Sequence, residues 1–563
     1  MPALNCDTFS VAKKIRAVTR TARFRTYLQR LLVDLCRIDT TPKTNVAQMR
    51  AAEKACFAIL ERELKALHFS NASCRRVPID PAIKNHPSFS LLHFTKSPRH
   101  PEGLSPEETY AGRSNLVYIA PGSERKRRGE SVALNAHIDV VAPYFAPRVT
   151  LGIVHGRGAC DDKGPVVSMI GALAALSEVM ARAGLEWNRN VVAMFVVEEE
   201  TGGNGSLSLA LDRQLKELYD SILVGECTGL KIHPANRGAV WYQIELTTPA
   251  RGSAFELFAL VNEELEKEGA AIRAESRHPL FPQRPVQTCH GIIGPFGEHP
   301  SRICAEASFL IQFARRPGAD IEMRVRDCLD SGLAAYIDLY GDKTKALDPA
   351  TGKPMVTRHY DCKRAGFGFR IDVHGATGHM GAIRERDGAI TKMAHLARSL
   401  IVSKTKLAAK GGPVRLELAG QSGDRTLTLE GGQGFLPTHG IAEIMERLRR
   451  AAQRGASGAA VKVTFDKLHN AAFDGDPKSN AMRQAIAAAK ASGIWKNEPI
   501  LGWTVSCDAR LFAAEYPGMP VLTFGPGELA RAHSDQEQIK LSDAQKAAEF
   551  LALFLLRQTG TIT

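Results

Sequence analysis

SVALNAHID (131–139), PVVSMIGALAALSEVMARA (165–183) and VVAMFVVEEE (191–200) follow one another in this chain. The first and third contain short apolar runs, Ser131–Ala136 and Val191–Val197, that read as strands buried on both faces. Pro165–Ala183 has the length and composition of the helix between them. Strand, helix and strand at this spacing predict a βαβ unit, and Ser221–Val224 reads as a further buried strand. The predicted fold class is α/β with a mostly parallel sheet.

Toward the N-terminus, residues 46–66 place Ala52, Cys56, Ile59, Leu60 and Leu64 near helical period. An earlier helix is expected to run on through Tyr27–Leu35. Its Lys13, Lys14, Arg16, Arg20, Arg23 and Arg25 read as a basic helix surface in preference to a transit peptide. Residues 80–113, rich in Pro, His and Ser, read as a long loop.

The pattern changes after about residue 240. Trp241–Leu246, Phe367–Val373, Val414–Leu418 and Thr426–Leu429 alternate as half-buried antiparallel strands do, with helical stretches at 386–401 and 439–452. The α/β pattern returns after about 466, with a helix at 479–492, a strand at Pro520–Phe524 and a closing helix at Ser542–Leu556. The expected organisation is an α/β catalytic domain, 1–240 and 466–563, interrupted by an inserted α+β lid or dimerisation domain, 241–465. Within the insert, 251–365 is long and carries a helix near Ala254–Glu268.

The chain has 563 residues, 44% apolar and 24% charged, which excludes a mainly disordered or fibrous protein. No run of about 18 uncharged apolar residues is present, so no membrane-spanning helix and no membrane partner are expected. Lys and Arg total 73 against 60 Asp and Glu. This excess is scattered, apart from clusters such as Arg125–Arg128, and no nucleic-acid motif accompanies it, so no nucleic-acid partner is expected. Eleven dispersed cysteines without a CxxC pair fit a reducing, cytoplasmic setting.

Five motifs carry chemistry. His137 and Asp139 follow the first strand, where α/β folds bind ligands, and Asp139 can accept the second imidazole N–H. GRGACDDKG (156–164) precedes a helix, and its Asp161 could bridge two cations or cap that helix. A phosphate cradle is disfavoured, because GxxxxGK[ST] is absent and adjacent carboxylates repel phosphate. Glu198, Glu199 and Glu200 end the Val191–Val197 strand, where three carboxylates are costly unless paired or metal-bound. GECT (225–228) and HSDQE (533–537) complete the set, and each alone would pass for a solvated loop.

Taken together and in order, HIDVVAP, GRGACDDKG, EEETGG, GECT and AHSDQE resemble the motifs of the two-metal zinc peptidase and deacylase family. Its members include aminoacylase, acetylornithine deacetylase, succinyl-diaminopimelate desuccinylase, glutamate carboxypeptidase and carnosinase-like dipeptidases. The resemblance covers 1–240 and 466–563. It implies that His137 binds one metal and His533 the other, that Asp161 bridges them, and that Glu200 and Glu226 complete the two sets. It further implies that Glu199 is the general base, that Asp139 orients His137, and that the Asp161–Asp162 bond is cis. GATGH (375–379) resembles the family segment whose histidine stabilises the oxyanion, commonly across a homodimer, which would be His379 here. CDAR (507–510) resembles the deacylase TSDAR segment; Arg510 could grip a substrate carboxylate or pair with Asp508, with Gly525 and Gly527 offering backbone N–H groups nearby.

The implied cofactor is two Zn²⁺ ions, with Mn²⁺ or Co²⁺ as alternatives. Cys227 replaces the family's usual proline, and Cys160 and Cys507 also sit beside metal motifs, where thiolate ligands are conceivable. The implied activity is cleavage of an amide next to a free carboxylate, as in N-acyl amino acid deacylation. The rivals are a dipeptidase or carboxypeptidase, and a non-catalytic binding protein of the same fold.

Overall fold

The structure is a computed structural model, described over residues 6–123, 129–249, 252–282, 289–293, 303–348, 352–378, 387–420, 425–465 and 469–562. The chain divides into two compact units, one of residues 1–238, 278–282 and 467–563, the other of 239–277 and 283–466.

The first unit is built on β1 (Ser73–Pro78), β2 (Ser114–Ala120), β3 (Val132–His137), β4 (Val191–Val196), β5 (Ser221–Gly225) and β6 (Val521–Phe524). These form one sheet in the order β1-β2-β4-β3-β5-β6. The pairs β4/β3, β3/β5 and β5/β6 are parallel. The pairs β1/β2 and β2/β4 are antiparallel. The sheet is therefore mixed, which corrects the mostly parallel sheet expected from sequence. β1 and β2 precede the first βαβ unit, and antiparallel partners need no crossover helix to join them.

Every residue of β3, β4 and β5 is buried, as their unbroken apolar character requires. The helix Lys163–Ala183 closes the βαβ unit. A Cβ on its Gly171 would lie 2.7 Å from Leu28 Cδ2 and 3.3 Å from Ala548 Cβ. Glycine thus lets the helices Ala22–Cys36 and Leu541–Thr559 pack closely on it. Lys163–Ala183 is also long and apolar enough to cross a membrane, although 83% of its apolar window is buried inside the fold. Glu178 and Arg182 interrupt its apolar character, so no long uncharged run marks it in the sequence.

The single N-terminal helix expected through Leu35 is two helices, Cys6–Thr19 and Ala22–Cys36. Thr21 starts the second by accepting the Phe24 N–H through its hydroxyl at 3.1 Å. The segment 80–113 contains the short helix Pro106–Tyr110, opened by a capping box of Ser105 and Glu108.

The second unit is α+β. One sheet runs through Cys289–Ile293, Thr426–Phe435, Gly238–Thr247 and Ala460–Thr464. The other, antiparallel throughout, orders Tyr360–Ala365, Gly368–His374, Glu306–Phe313 and Val414–Leu418. Four of its helices are Ala254–Glu275, Ala319–Tyr340, Ala389–Val402 and Ile441–Ala456.

Two of this unit's buried acids are paired within it. Asp387 accepts from the Lys392 ammonium and, at 2.6 Å, from the Tyr336 hydroxyl. Glu266 meets His395 at 3.0 Å, Arg398 at 2.9 Å and the Tyr340 hydroxyl at 2.7 Å.

Candidate metal centre

The C-terminal ends of the four parallel strands deliver the motif residues to one place. β3 ends in His137, β4 runs into Glu198–Glu200, and β5 runs into Glu226. β6 leads to the loop that holds His533. Asp161 enters from the turn before Lys163–Ala183, and the Asp161–Asp162 peptide bond is cis. Asp162 occupies the N-cap position of that helix, yet its side chain makes no capping hydrogen bond.

Asp161 stands between the two histidines. Its Oδ1 lies 3.2 Å from His137 Nε2 and its Oδ2 lies 3.4 Å from His533 Nε2. His533 Nε2 is also 3.1 Å from the Glu200 carboxylate. Two sets of donor atoms result, each within 4.8 Å of one another: His137, Asp161, Asp162 and Glu226, and Asp161, Glu200 and His533. Asp161 belongs to both. Asp162 is the donor that sequence reasoning did not single out; its Oδ2 accepts the His137 backbone N–H at 3.2 Å, and its Oδ1 makes no hydrogen bond.

The three consecutive glutamates part ways. Glu200 turns to His533. Glu199 lies 4.0 Å from His137 Nε2 and keeps 15% side-chain exposure, against 4% for Glu200. Glu198 adopts φ +66° and points away, into a buried network with the Tyr110 hydroxyl at 2.9 Å and the Arg113 guanidinium. Arg113 in turn forks onto Glu53 at 3.0 and 2.6 Å. Tyr110 and Arg113 lie in or beside the segment read only as a loop, so no sequence motif marked this anchor.

Asp139 acts on the glutamate turn more directly than on the imidazole. Its Oδ1 and Oδ2 accept the backbone N–H groups of Glu199 and Glu200 at 3.2 and 3.0 Å. His137 Nδ1 meets the Asp139 backbone carbonyl at 3.0 Å and the carboxylate at 3.5 Å.

Burial drives the carboxyls of Asp162, Glu199, Glu200 and Glu226 upward in pKa. Asp161 moves the other way: burial opposes its ionisation, but hydrogen bonds from His137 and His533 prevail. Burial would lower His533, yet Glu200 and Asp161 outweigh it and push the imidazole up to about 9. This crowding of carboxylates around two imidazoles leaves a deficit of positive charge that divalent cations fit.

Arg510 is buried; its Nη2 donates to the Gly202 carbonyl at 2.9 Å and its Nε has no hydrogen-bond partner. The Gly525 N–H is already donated to the Thr228 hydroxyl at 3.0 Å. Glycine there serves close packing, since a Cβ would meet the Glu226 carbonyl at 2.3 Å. At Gly527 a Cβ would meet Cys160 Sγ at 2.7 Å. Cys160, Cys227 and Cys507 are buried, and no thiol joins a donor group among the described residues. His379 lies outside the described residues.

A third donor group, Glu275, His439 and Glu443, lies in the second unit and is more exposed. Arg447 already pairs there with Glu275 at 2.9 Å and Glu443 at 3.5 Å.

The sequence pattern of peptidase family M20/M25/M40 matches residues 133–557, which span all five motifs. The chain belongs to this family. A LysW-lysine/LysW-ornithine hydrolase of Saccharolobus islandicus is 32% identical over 168 residues, 29% of this chain and 45% of the relative. A peptidase M20 domain-containing protein of Schizosaccharomyces pombe is 32% identical over 123 residues, 22% of this chain and 28% of the relative. The matched stretch thus spans less than half the length of either relative. Among solved structures, human carnosine dipeptidase 1 aligns over 97% of this chain and 99% of its own, at 12% identity and a TM-score of 0.55. A dipeptidase of Saccharomyces cerevisiae covers 99% of both chains at 13% identity and a TM-score of 0.57. At such identities these two likenesses concern the fold.

Proposed function

We propose that this family member is a two-metal amidohydrolase that cleaves an amide next to a free carboxylate, as in N-acyl amino acid deacylation. The observation that carries the reading is the pair of donor sets sharing Asp161, with the partly exposed Glu199 beside them. His137, Asp162 and Glu226 would hold one ion with Asp161, and Glu200 and His533 the other. Imidazole and carboxylate donors suit Zn²⁺, and they accept Mn²⁺ or Co²⁺. When bound, the ions supply Lewis-acid charge for a water molecule and the scissile carbonyl.

The chain's own residues do the rest. Glu199 takes a proton from the attacking water and returns it to the leaving nitrogen. Asp139 fixes the backbone of Glu199 and Glu200. Glu198, tied to Arg113 and Tyr110, is not free to serve as the base. The relative named for hydrolysing LysW-lysine and LysW-ornithine supports an amino-acid conjugate as the substrate class.

The test is metal analysis combined with a panel of N-acyl amino acids and dipeptides. Hydrolysis of N-acyl amino acids, abolished by a chelator and restored by zinc, supports the reading. Cleavage of dipeptides alone would replace it with the dipeptidase reading. Two bound zinc ions with no hydrolysis across the panel would favour a binding protein.

A further inference from the structure

Behind the donor sets lies an ion pair that the chemistry above does not use. Arg157 and Glu537 are both buried, and Arg157 Nη1 meets Glu537 Oε2 at 2.6 Å. Glu537 Oε1 accepts the backbone N–H groups of Cys160 and Asp161, both at 3.0 Å. The Glu537 backbone carbonyl accepts the Gly156 N–H at 3.1 Å. One residue of the His533 loop thus grips the Asp161 turn at three points.

Arg157 extends the grip to the segment that leaves His137. Its Nε donates to the Pro143 carbonyl at 3.1 Å, and its own N–H donates to the Phe145 carbonyl at 3.2 Å. The guanidinium stacks over the Phe145 ring at 5.0 Å. A planar fork bridging a carboxylate and a carbonyl is a geometry that lysine cannot reproduce. The three segments meeting here carry His137, Asp161 and His533: one histidine from each donor set and the carboxylate common to both.

We infer that the Arg157–Glu537 pair is a positioning brace that sets the spacing of the two metal positions, so that both are tightened or loosened together. The inference rests on the two-metal reading proposed above. It differs from the action of a ligand such as His137, whose loss empties one position. Neither residue touches substrate or metal; both act through the backbone of the Asp161 turn and through the segments that bear the histidines.

The test measures zinc affinity of the full chain by competition with a chromogenic chelator, together with the visible spectrum of the cobalt-substituted protein. Glu537→Ala is expected to weaken zinc at both positions by about 10- to 100-fold, the usual range for losing a partner that orients a ligand. Glu537→Gln keeps a carbonyl oxygen for the two backbone N–H groups and should lose less. Arg157→Lys should retain part of the affinity that Arg157→Met loses. The cobalt bands of both positions should shift in Glu537→Gln, whereas Leu60→Ala, a buried core change elsewhere in the unit, lowers stability without moving them. If Glu537→Ala does not fold, Glu537→Gln and Arg157→Lys carry the test. Unchanged affinity and spectrum in these variants, or loss at one position only, would overturn the brace. A wild-type chain that binds fewer than two zinc ions would overturn the two-metal reading itself, and the brace with it.

Discussion

Both units pair buried acids with bases of their own chain, but the strand-end cluster of the first unit is satisfied differently. In the second unit, Asp387 faces the Lys392 ammonium, and Glu266 faces His395 and Arg398. In the first, Asp161, Asp162, Glu200 and Glu226 are buried around two imidazoles, with Glu199 at the opening. A buried carboxylate whose partner is a lysine or arginine of its own chain is complete. A cluster in which several carboxylates crowd around two imidazoles is completed by protons or by cations from outside. The partly exposed Glu275, His439 and Glu443 group makes the same point: its donors are within ligand reach, but Arg447 already supplies the charge.

Removing the proton acceptor at the incomplete cluster should have the largest effect. Glu199→Gln is expected to keep both metal ions and lower kcat by about 10²- to 10⁴-fold, the span of general acid–base contributions. Near-normal turnover with two metals bound would move the base elsewhere. In the complete cluster, Lys392→Met leaves Asp387 buried without its cation. The expected loss is about 3–5 kcal/mol in chemical denaturation, the same with and without zinc. A zinc-dependent loss would erase the distinction between the two clusters.

The pH response of the second unit follows from Glu266. Burial opposes its ionisation, but His395 and Arg398 hold its carboxyl down at about 2, below the ordinary 4.5. A depressed carboxyl stabilises the fold fully above about pH 4.5 and loses that contribution as pH falls through about 2. The contribution amounts to about 3 kcal/mol. Glu266→Gln should flatten the acid limb of the stability profile, and an unchanged limb would show that other groups govern it. The smallest effect belongs to the surface cluster: Arg447→Ala should change stability by no more than about 1 kcal/mol. A larger loss in denaturant titration would mean that this cluster is structural after all.

Much of the centre was legible because strand ends and motifs coincide. Apolar runs located β3, β4 and β5, and the motif residues follow those runs at the strand ends. Asp162 escaped notice because the family pattern draws the eye to Asp161. Glu537 was quoted within HSDQE, yet its partners, the Cys160 and Asp161 N–H groups, are backbone atoms that no residue pattern displays. The mixed sheet was missed because neither β1 nor β2 was legible as a strand: β1 is partly exposed and carries Arg75 and Arg76, and β2, which pairs antiparallel with β4, directly follows the segment that reads as a loop. The break at Thr21 was missed because apolar spacing continues on both sides of it, and only the hydroxyl cap interrupts the helix.

The central claim is that the acids at the strand ends hold two cations that share one carboxylate. An anomalous difference map from crystals grown with zinc, with data collected on both sides of the zinc edge, tests it most directly. The account predicts two peaks flanking the Asp161 carboxylate, one beside His137 and Glu226, the other beside Glu200 and His533. A single peak, or a pair that does not share Asp161, would contradict it.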